Sequence, residues 1–235
     1  QDTLGTRGWN ALYLENHDQP RSVSRFGDPS QYWYESATAL ATAYFLQRGT
    51  PFIFQGQEIG MLGGDFAAAS DFRDVESVSY MERLGGDKVP EGLAAMSRDN
   101  GRTPMQWDSS PAAGFTQGNP WIDVPASAEH ITVAAQANDP HSILAYYRAL
   151  IHARHTVPAL SDGAFTRIDA SAPALFVYRR SMPDSNVLVM VNLSGQGLTP
   201  LFSRQDEAVA SLPWSLYLGN VDASRAQTDD AHSQI

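Results

Sequence analysis

Cysteine is absent from all 235 residues, which excludes disulfide frameworks, thiolate catalysis and the common structural zinc sites together. Lysine occurs once, at Lys88, and 26 acidic side chains face 16 basic ones, for a formal charge of −10. That sign argues against a nucleic-acid binder or a partner of anionic membranes, both of which rest on basic patches. No apolar run reaches the roughly 18 residues of a membrane-spanning helix. The opening QDTLGTRGWN has neither the basic start nor the apolar stretch of a signal peptide. It also lacks an initiator methionine, and is read as the cut end of something longer. No GxxxxGK[ST], GxGxxG or GxSxG string occurs, so nucleotide-dependent and serine-hydrolase chemistries lose their main motifs. What is present is core-forming material: 43% of residues are apolar and 18% charged, the balance of an ordinary globular protein of one or two domains.

Residues 9 to 14, Trp-Asn-Ala-Leu-Tyr-Leu, read as a short buried strand. A helical face follows through Ala37, Leu40, Ala41, Tyr44 and Phe45, with Gly49 placed as a left-handed cap. Pro51 to Gln55 reads as a second strand. Strand, helix, strand in that order is the signature of a βαβ unit with a parallel sheet. From Gly60 to about Asn138 periodicity fails, and a long functional loop is expected. Helical spacing resumes through Ile143, Leu144, Tyr147, Leu150 and Ile151, with Asp139-Pro140 as cap and first turn, and should close a first domain near Val157-Pro158. Beyond it Ala174–Tyr178, Asn186–Leu193 and Trp214–Leu218 read as strands of a small antiparallel domain. The expected division is residues 1–158 and residues 159–235.

Three clusters could carry chemistry. Asn16-His17-Asp18-Gln19-Pro20-Arg21 follows the first strand directly, at the end where α/β proteins build their sites, though an Asx turn with a proline stop explains the same string. Gln55-Gly56-Gln57-Glu58 ends the second strand, and on its own is read first as a glycine turn with a solvated glutamate. In Ser97-Arg98-Asp99-Asn100-Gly101-Arg102, two arginines four apart, with Trp107 nearby, suit a polyhydroxylated ligand. The alternative is a surface loop held by internal Arg–Asp pairing. His152 and His155 sit on the helical segment without further ligands, so no metal site is expected.

Taken together, WNALYLENHDQPRSVSRFGD, GTPFIFQGQEIGM and SRDNGRTPMQWD resemble the C-terminal half of an α-glucosidase of the α-amylase superfamily, glycoside hydrolase family 13, most nearly an oligo-1,6-glucosidase. The resemblance implies an α/β plus β architecture: strands seven and eight of a (β/α)8 TIM barrel with their helices, then a small antiparallel β domain. It implies retaining hydrolysis of terminal α-glucosidic bonds, α-1,6 foremost, of short oligosaccharides in carbohydrate metabolism, by a nucleophile and a general acid/base about 5 to 5.5 Å apart. Both belong to strands four and five, upstream of this chain, so the chain alone is expected to be inactive and to need the N-terminal half of the same enzyme. Asp18 is implied to stabilise the transition state. His17 and Arg102 are implied to bind the same sugar, and Glu76 to touch the leaving-group side. Gln57 stands where a glutamate is usual. The closing strand R-P-Y-E-A-x-V-Y is missing, which implies truncation at both ends. No cofactor, nucleic acid or membrane partner is implied, and a cytoplasmic location is expected. Sucrose isomerases and trehalose-6-phosphate hydrolases share the three strings, but Arg21–Asp28 lacks the charged Arg-Leu-Asp-Arg-Asp loop of isomerases. A non-catalytic binding relative is the reading from another class.

Overall fold

The computed structural model describes residues 7–170, 172–198 and 214–220. It opens on a parallel pair, β1 (Ala11–Leu12) beside a later strand, with helices α1 (Ser22–Phe26) and α2 (Trp33–Phe45) between them and β2 (Thr50–Pro51) completing the crossover. The expected βαβ order is present. The ladder is shorter than the apolar runs, because two strands pair along one side only and Pro51 has no N–H to donate. Two bonds flank it, Thr50 N–H to the Asn10 carbonyl and Phe52 N–H to the Leu12 carbonyl, each 2.7 Å. Alternation sends Leu12 and Leu14 into the core and leaves Tyr13 and Phe52 exposed on the other face.

Helix α2 ends sooner than expected. Its cap is Leu46 in the right-handed region, and Gly49 lies beyond the cap, leading into β2. Two arginines far off in sequence terminate the helix instead. Arg180 Nη1 donates to the Leu46 carbonyl at 2.8 Å, and Arg154 Nη1 donates to those of Phe45 and Gln47 at 2.7 and 2.9 Å. Cations there satisfy orphan carbonyls and complement the negative end of the helix dipole.

The segment from residue 60 to 138 is not structureless, which corrects the expected long loop. It holds α3 (Val75–Leu84), α4 (Glu91–Met96), α5 (Val133–Gln136) and several single 3-10 turns. Helix α3 starts where the Asp74 carboxylate accepts the Ser77 N–H at 3.1 Å and stops at Gly85 in the left-handed region. It buries only Ser77 and Met81, so its apolar stripe is too narrow to register as periodicity. Phe66, Phe72, Met81 and Ile122 form a small satellite core around it, with Phe66 and Phe72 stacked at 4.9 Å.

Helix α6 (Ile143–Thr156) is capped by Ser142, whose hydroxyl accepts the Ala145 N–H at 3.1 Å. Asp139 is thus not the cap; its carboxylate accepts the His141 N–H one turn earlier. The buried stripe is Ile143, Tyr146, Tyr147, Leu150 and Ala153, while Ile151 faces outward. After α7 (Pro158–Ser161) come β3 (Ala164–Ile168), β4 (Leu175–Met182) and β5 (Ser185–Asn192), antiparallel in that order. Strand β3 was not expected from the sequence. Trp214–Leu218, expected as a strand, is irregular chain, and Leu218 packs on the core. That core joins α2 and α6 to Tyr178, Val189 and Val191 of the sheet.

Candidate active site

The chain leaves β1 toward Glu15 and turns sharply. Asn16 makes the turn, its side-chain oxygen accepting the Asp18 N–H at 2.8 Å and its carbonyl the Gln19 N–H at 3.2 Å. The turn presents His17 and Asp18 to solvent, with side chains 72% and 49% exposed. The two side chains approach to 3.4 Å, between His17 Nε2 and Asp18 Oδ2.

Arginines come from a segment some eighty positions later, the 3-10 turn Arg98–Gly101. It can approach because residue 101 is glycine: a Cβ there would lie 2.6 Å from the Asn16 carbonyl oxygen and 2.7 Å from that of Gln19. Arg102 then donates from Nε to the His17 carbonyl and from Nη2 to Asp18 Oδ1, both at 2.8 Å. One planar fork therefore holds both the backbone and the side chain of the turn. Arg98 donates from Nε to Asp74 Oδ1 at 2.7 Å, and its Nη1 lies 4.0 Å from Asp18.

The third contribution is the start of α3. Asp99 is fully buried, and its Oδ2 accepts the backbone N–H groups of Arg73 and Asp74 at 2.6 and 2.8 Å. That places Asp74 against Arg98 and Glu76 beside it, with Glu76 Oε2 3.7 Å from Arg98 Nη2. Glu76 is itself mostly exposed. Burial pushes the Asp74 carboxyl up, but hydrogen bonds from Ser77 and from Arg98 outweigh it and hold it below the ordinary carboxylate range. The hydrogen bond to Asp74 in turn raises Arg98, which stays charged at any accessible pH. Four carboxylates, Asp18, Asp74, Glu76 and Asp99, surround two guanidinium groups, and the site is electronegative.

All four residues singled out from the sequence, His17, Asp18, Glu76 and Arg102, fall in this one network. Internal Arg–Asp pairing, the alternative left open for this segment, is present only at 3.8 Å between Arg102 Nη1 and Asp99; the hydrogen-bonded partners are Asp74 for Arg98 and Asp18 for Arg102. Asp74 was missed as a site residue, although an aspartate three before Ser77 is a helix-start signal that would have placed it at a helix N-terminus. Trp107 is half exposed, with its backbone bonded to Ala113 and Ala134.

Gln55–Glu58 lies below, and Glu58 is not a solvated side chain: its Oε2 is buried, and burial raises its carboxyl. Gln57 is buried and donates to the hydroxyls of Tyr44 and Tyr147 at 3.0 and 2.9 Å, which accounts for a neutral amide there. A separate groove of about 590 Å³, lined by residues such as Tyr32, Glu35, Thr42, Asn192 and Leu218, contains none of the four site residues. Among the described residues, no three His, Cys, Asp or Glu side chains stand close enough to hold a metal ion, and no helix is long and apolar enough to cross a membrane.

Comparison with known proteins bears on this geometry directly. The oligo-1,6-glucosidase of Parageobacillus thermoglucosidasius is 41% identical over 233 residues, covering 97% of this chain and 41% of that protein. The trehalose-6-phosphate hydrolase of Escherichia coli strain K12 is 42% identical over 199 residues, covering 83% of this chain and 36% of its own length. Among solved structures, a sucrose-bound mutant of the isomaltulose synthase of Erwinia rhapontici NX5 superposes with a TM-score of 0.75 at 42% identity, over 82% of this chain and 36% of that one. The trehalulose synthase of Pseudomonas mesoacidophila MX-45 gives 0.76 at 44% identity, over 83% and 36%. The chain therefore spans about two fifths of the length of the curated relatives it matches. The model of the alpha-amylase catalytic domain matches residues 1–163, and with these relatives it shows that the chain belongs to the alpha-amylase family.

Proposed function

We propose that this chain carries part of the glucose-binding side of a retaining α-glucosidase, acting on short oligosaccharides with terminal α-1,6 bonds. The observation that carries the reading is the Arg102 fork, which holds the Asp18 carboxylate at 2.8 Å where the chain leaves a parallel strand. Glycoside cleavage passes through an oxocarbenium-like transition state, and positive charge developing on the sugar is favoured beside fixed carboxylates. In this reading Asp18 accepts hydrogen bonds from sugar hydroxyls that strengthen as the charge develops. His17 binds the same sugar, Arg102 holds its non-reducing end, and Glu76 meets the leaving group. The nucleophile and the general acid/base come from another part of the enzyme, and residues 1–235 without that part do not turn over substrate.

The same reading assigns β1 and β2 to strands seven and eight of a (β/α)8 barrel, with residues 1–158 in the barrel portion and residues 159–235 in a β domain. The exposed Tyr13 and Phe52 support it, since they stand on the face of the pair turned away from the core, where further strands would pack. A second reading, sucrose isomerisation, is favoured by the solved relatives that make isomaltulose and trehalulose. One experiment separates the two: the complete reading frame carrying this chain is assayed with isomaltose, maltose, trehalose-6-phosphate and sucrose. Glucose release from isomaltose, lowered on the order of a thousandfold by Asp18→Asn with the melting temperature unchanged, is the expected result. Isomaltulose or trehalulose from sucrose would establish the second reading, and full activity of Asp18→Asn would end both.

A further inference from the structure

The turn that carries His17 and Asp18 is bounded by two residues of a kind rarely buried. Glu15 is 3% exposed and Arg21 is fully buried, yet His17 and Asp18 between them face solvent. The Glu15 carboxylate reaches over the turn, and its Oε2 accepts the Ser22 N–H at 2.8 Å, joining the residue before the turn to the first residue of α1. Arg21 reaches sideways. Its Nη1 donates to the Gln55 carbonyl at 2.6 Å and its guanidinium lies 5.1 Å over the Phe54 ring, so the turn is tied to the chain leaving β2. Gly56 permits this passage: it has φ +87°, and a Cβ there would collide with Met61 Sδ and stand 3.2 Å from Arg21 Nη1. Facing the pair are Glu58, with its buried Oε2, and the hydroxyls of Tyr44 and Tyr147.

We propose that Glu15 and Arg21 are positioning residues, a buried polar clamp whose two hydrogen bonds, from the Ser22 N–H to Glu15 and from Arg21 to the Gln55 carbonyl, close the base of the Asn16–Pro20 turn and set where His17 and Asp18 point. Breaking either hydrogen bond leaves a buried polar group without a partner, which costs more than the loss of a surface contact. Exposed side chains on a five-residue turn would otherwise sample many orientations. With both ends fixed, only the rotamers of His17 and Asp18 remain free, and Arg102 settles that of Asp18. The catalytic part of this role rests on the glucosidase reading; the closure of the turn does not.

The test is amide hydrogen exchange on the whole chain, read at Asp18 and Gln19, whose N–H groups bond within the turn. Glu15→Ala and Arg21→Met are expected to speed exchange there by about tenfold or more, while α6 and the β4–β5 hairpin keep their protection. Glu15→Gln retains an acceptor for the Ser22 N–H and is expected to restore the slow rate. Unchanged exchange at Asp18 and Gln19 in folded Arg21→Met overturns the clamp, and so does an equal loss of protection in α6 and β4–β5. If the Met variant does not fold, Arg21→Lys decides: it keeps the charge but not the reach of the fork, and unchanged exchange there also overturns the clamp. In the complete reading frame, Glu15→Ala should lower kcat more than it alters KM, with rescue by Glu15→Gln. A loosened turn in a protein that cleaves no glucoside would leave the clamp standing and remove only the sugar reading.

Discussion

Two regions of this molecule use polar groups in opposite ways. In the core shared by α2, α6 and the β sheet, polar atoms end on neutral partners inside the protein: the Tyr146 hydroxyl on Thr42 at 2.7 Å, the Tyr178 hydroxyl on the Thr42 carbonyl at 3.2 Å, and Arg180 on the Leu46 carbonyl. In the site network, charges end on charges, and Asp18 and His17 keep much of their surface in water. The first arrangement stabilises, since each buried polar group is matched and surrounded by apolar area. The second contributes little to folding. A half-exposed ion pair such as Asp18–Arg102 is worth at most about 1 kcal/mol. Its geometry is what it offers, and the site is held in place by the buried residues behind it: Asp99, Glu15 and Arg21.

The comparison can be broken from the core side most forcefully. Leu150 is fully buried on α6, and Leu150→Ala should cost roughly 3 kcal/mol in denaturant unfolding through lost burial and a residual cavity. The Asp18–Arg102 pairing should survive it, seen as an unshifted Asp18 carboxyl signal in NMR at temperatures where the variant is folded.

The intermediate case is Glu15, which belongs to neither region cleanly. Burial raises its carboxyl from 4.5 to about 7, against the opposing pull of Arg21 and the Ser22 N–H, with Glu58 adding to the rise. The folded chain thus holds this proton more tightly than the unfolded one. The resulting stabilisation is fully present below about pH 4.5 and is lost as pH rises through 7, a change of roughly 3 kcal/mol. Urea unfolding across that window should show the fall after other groups are accounted for by difference, and Glu15→Gln should flatten it. An identical pH profile in the Gln variant would show that Glu15 is not the group titrating.

The smallest effect sharpens the comparison locally. Ser142→Ala removes the hydroxyl that caps α6 and should cost about 1 kcal/mol, with no change at the site. The corresponding Asp139→Ala, at the position first expected to cap, should cost less, because Asp139 caps only the turn before the helix.

The βαβ order was legible because its signals are local: an apolar run, a helical face through Ala37, Ala41 and Tyr44, and a second apolar run. Helix α3 was not, because a helix that buries only two residues leaves almost no stripe, and its evidence lies in Asp74 and Gly85 at its ends. Strand β3, Ala-Phe-Thr-Arg-Ile, was hidden by its polar content, since three of its five residues face solvent. Trp214–Leu218 misled in the opposite direction, being apolar yet irregular, because an apolar run alone does not specify a strand. The site residues were found through motif strings, whereas the roles of Glu15 and Arg21 were not visible, because burial of a charged side chain is a property of what packs over it.

The amino-acid sequence by itself determined which groups exist and where local structure begins: an asparagine able to turn the chain before Asp18, a glycine small enough at 101, and serines and aspartates at helix starts. Tertiary structure alone decided the pairing. Asp18 and Arg102 are 84 residues apart, and Asp99 lies much closer to Arg102 in the chain, yet the fork closes on Asp18. The reason is physical: Gly101 lets its segment close on the Asn16 and Gln19 carbonyls, so the Arg102 fork meets the His17 carbonyl and Asp18 at hydrogen-bond distance while Asp99 Oδ1 stays 3.8 Å from Arg102 Nη1.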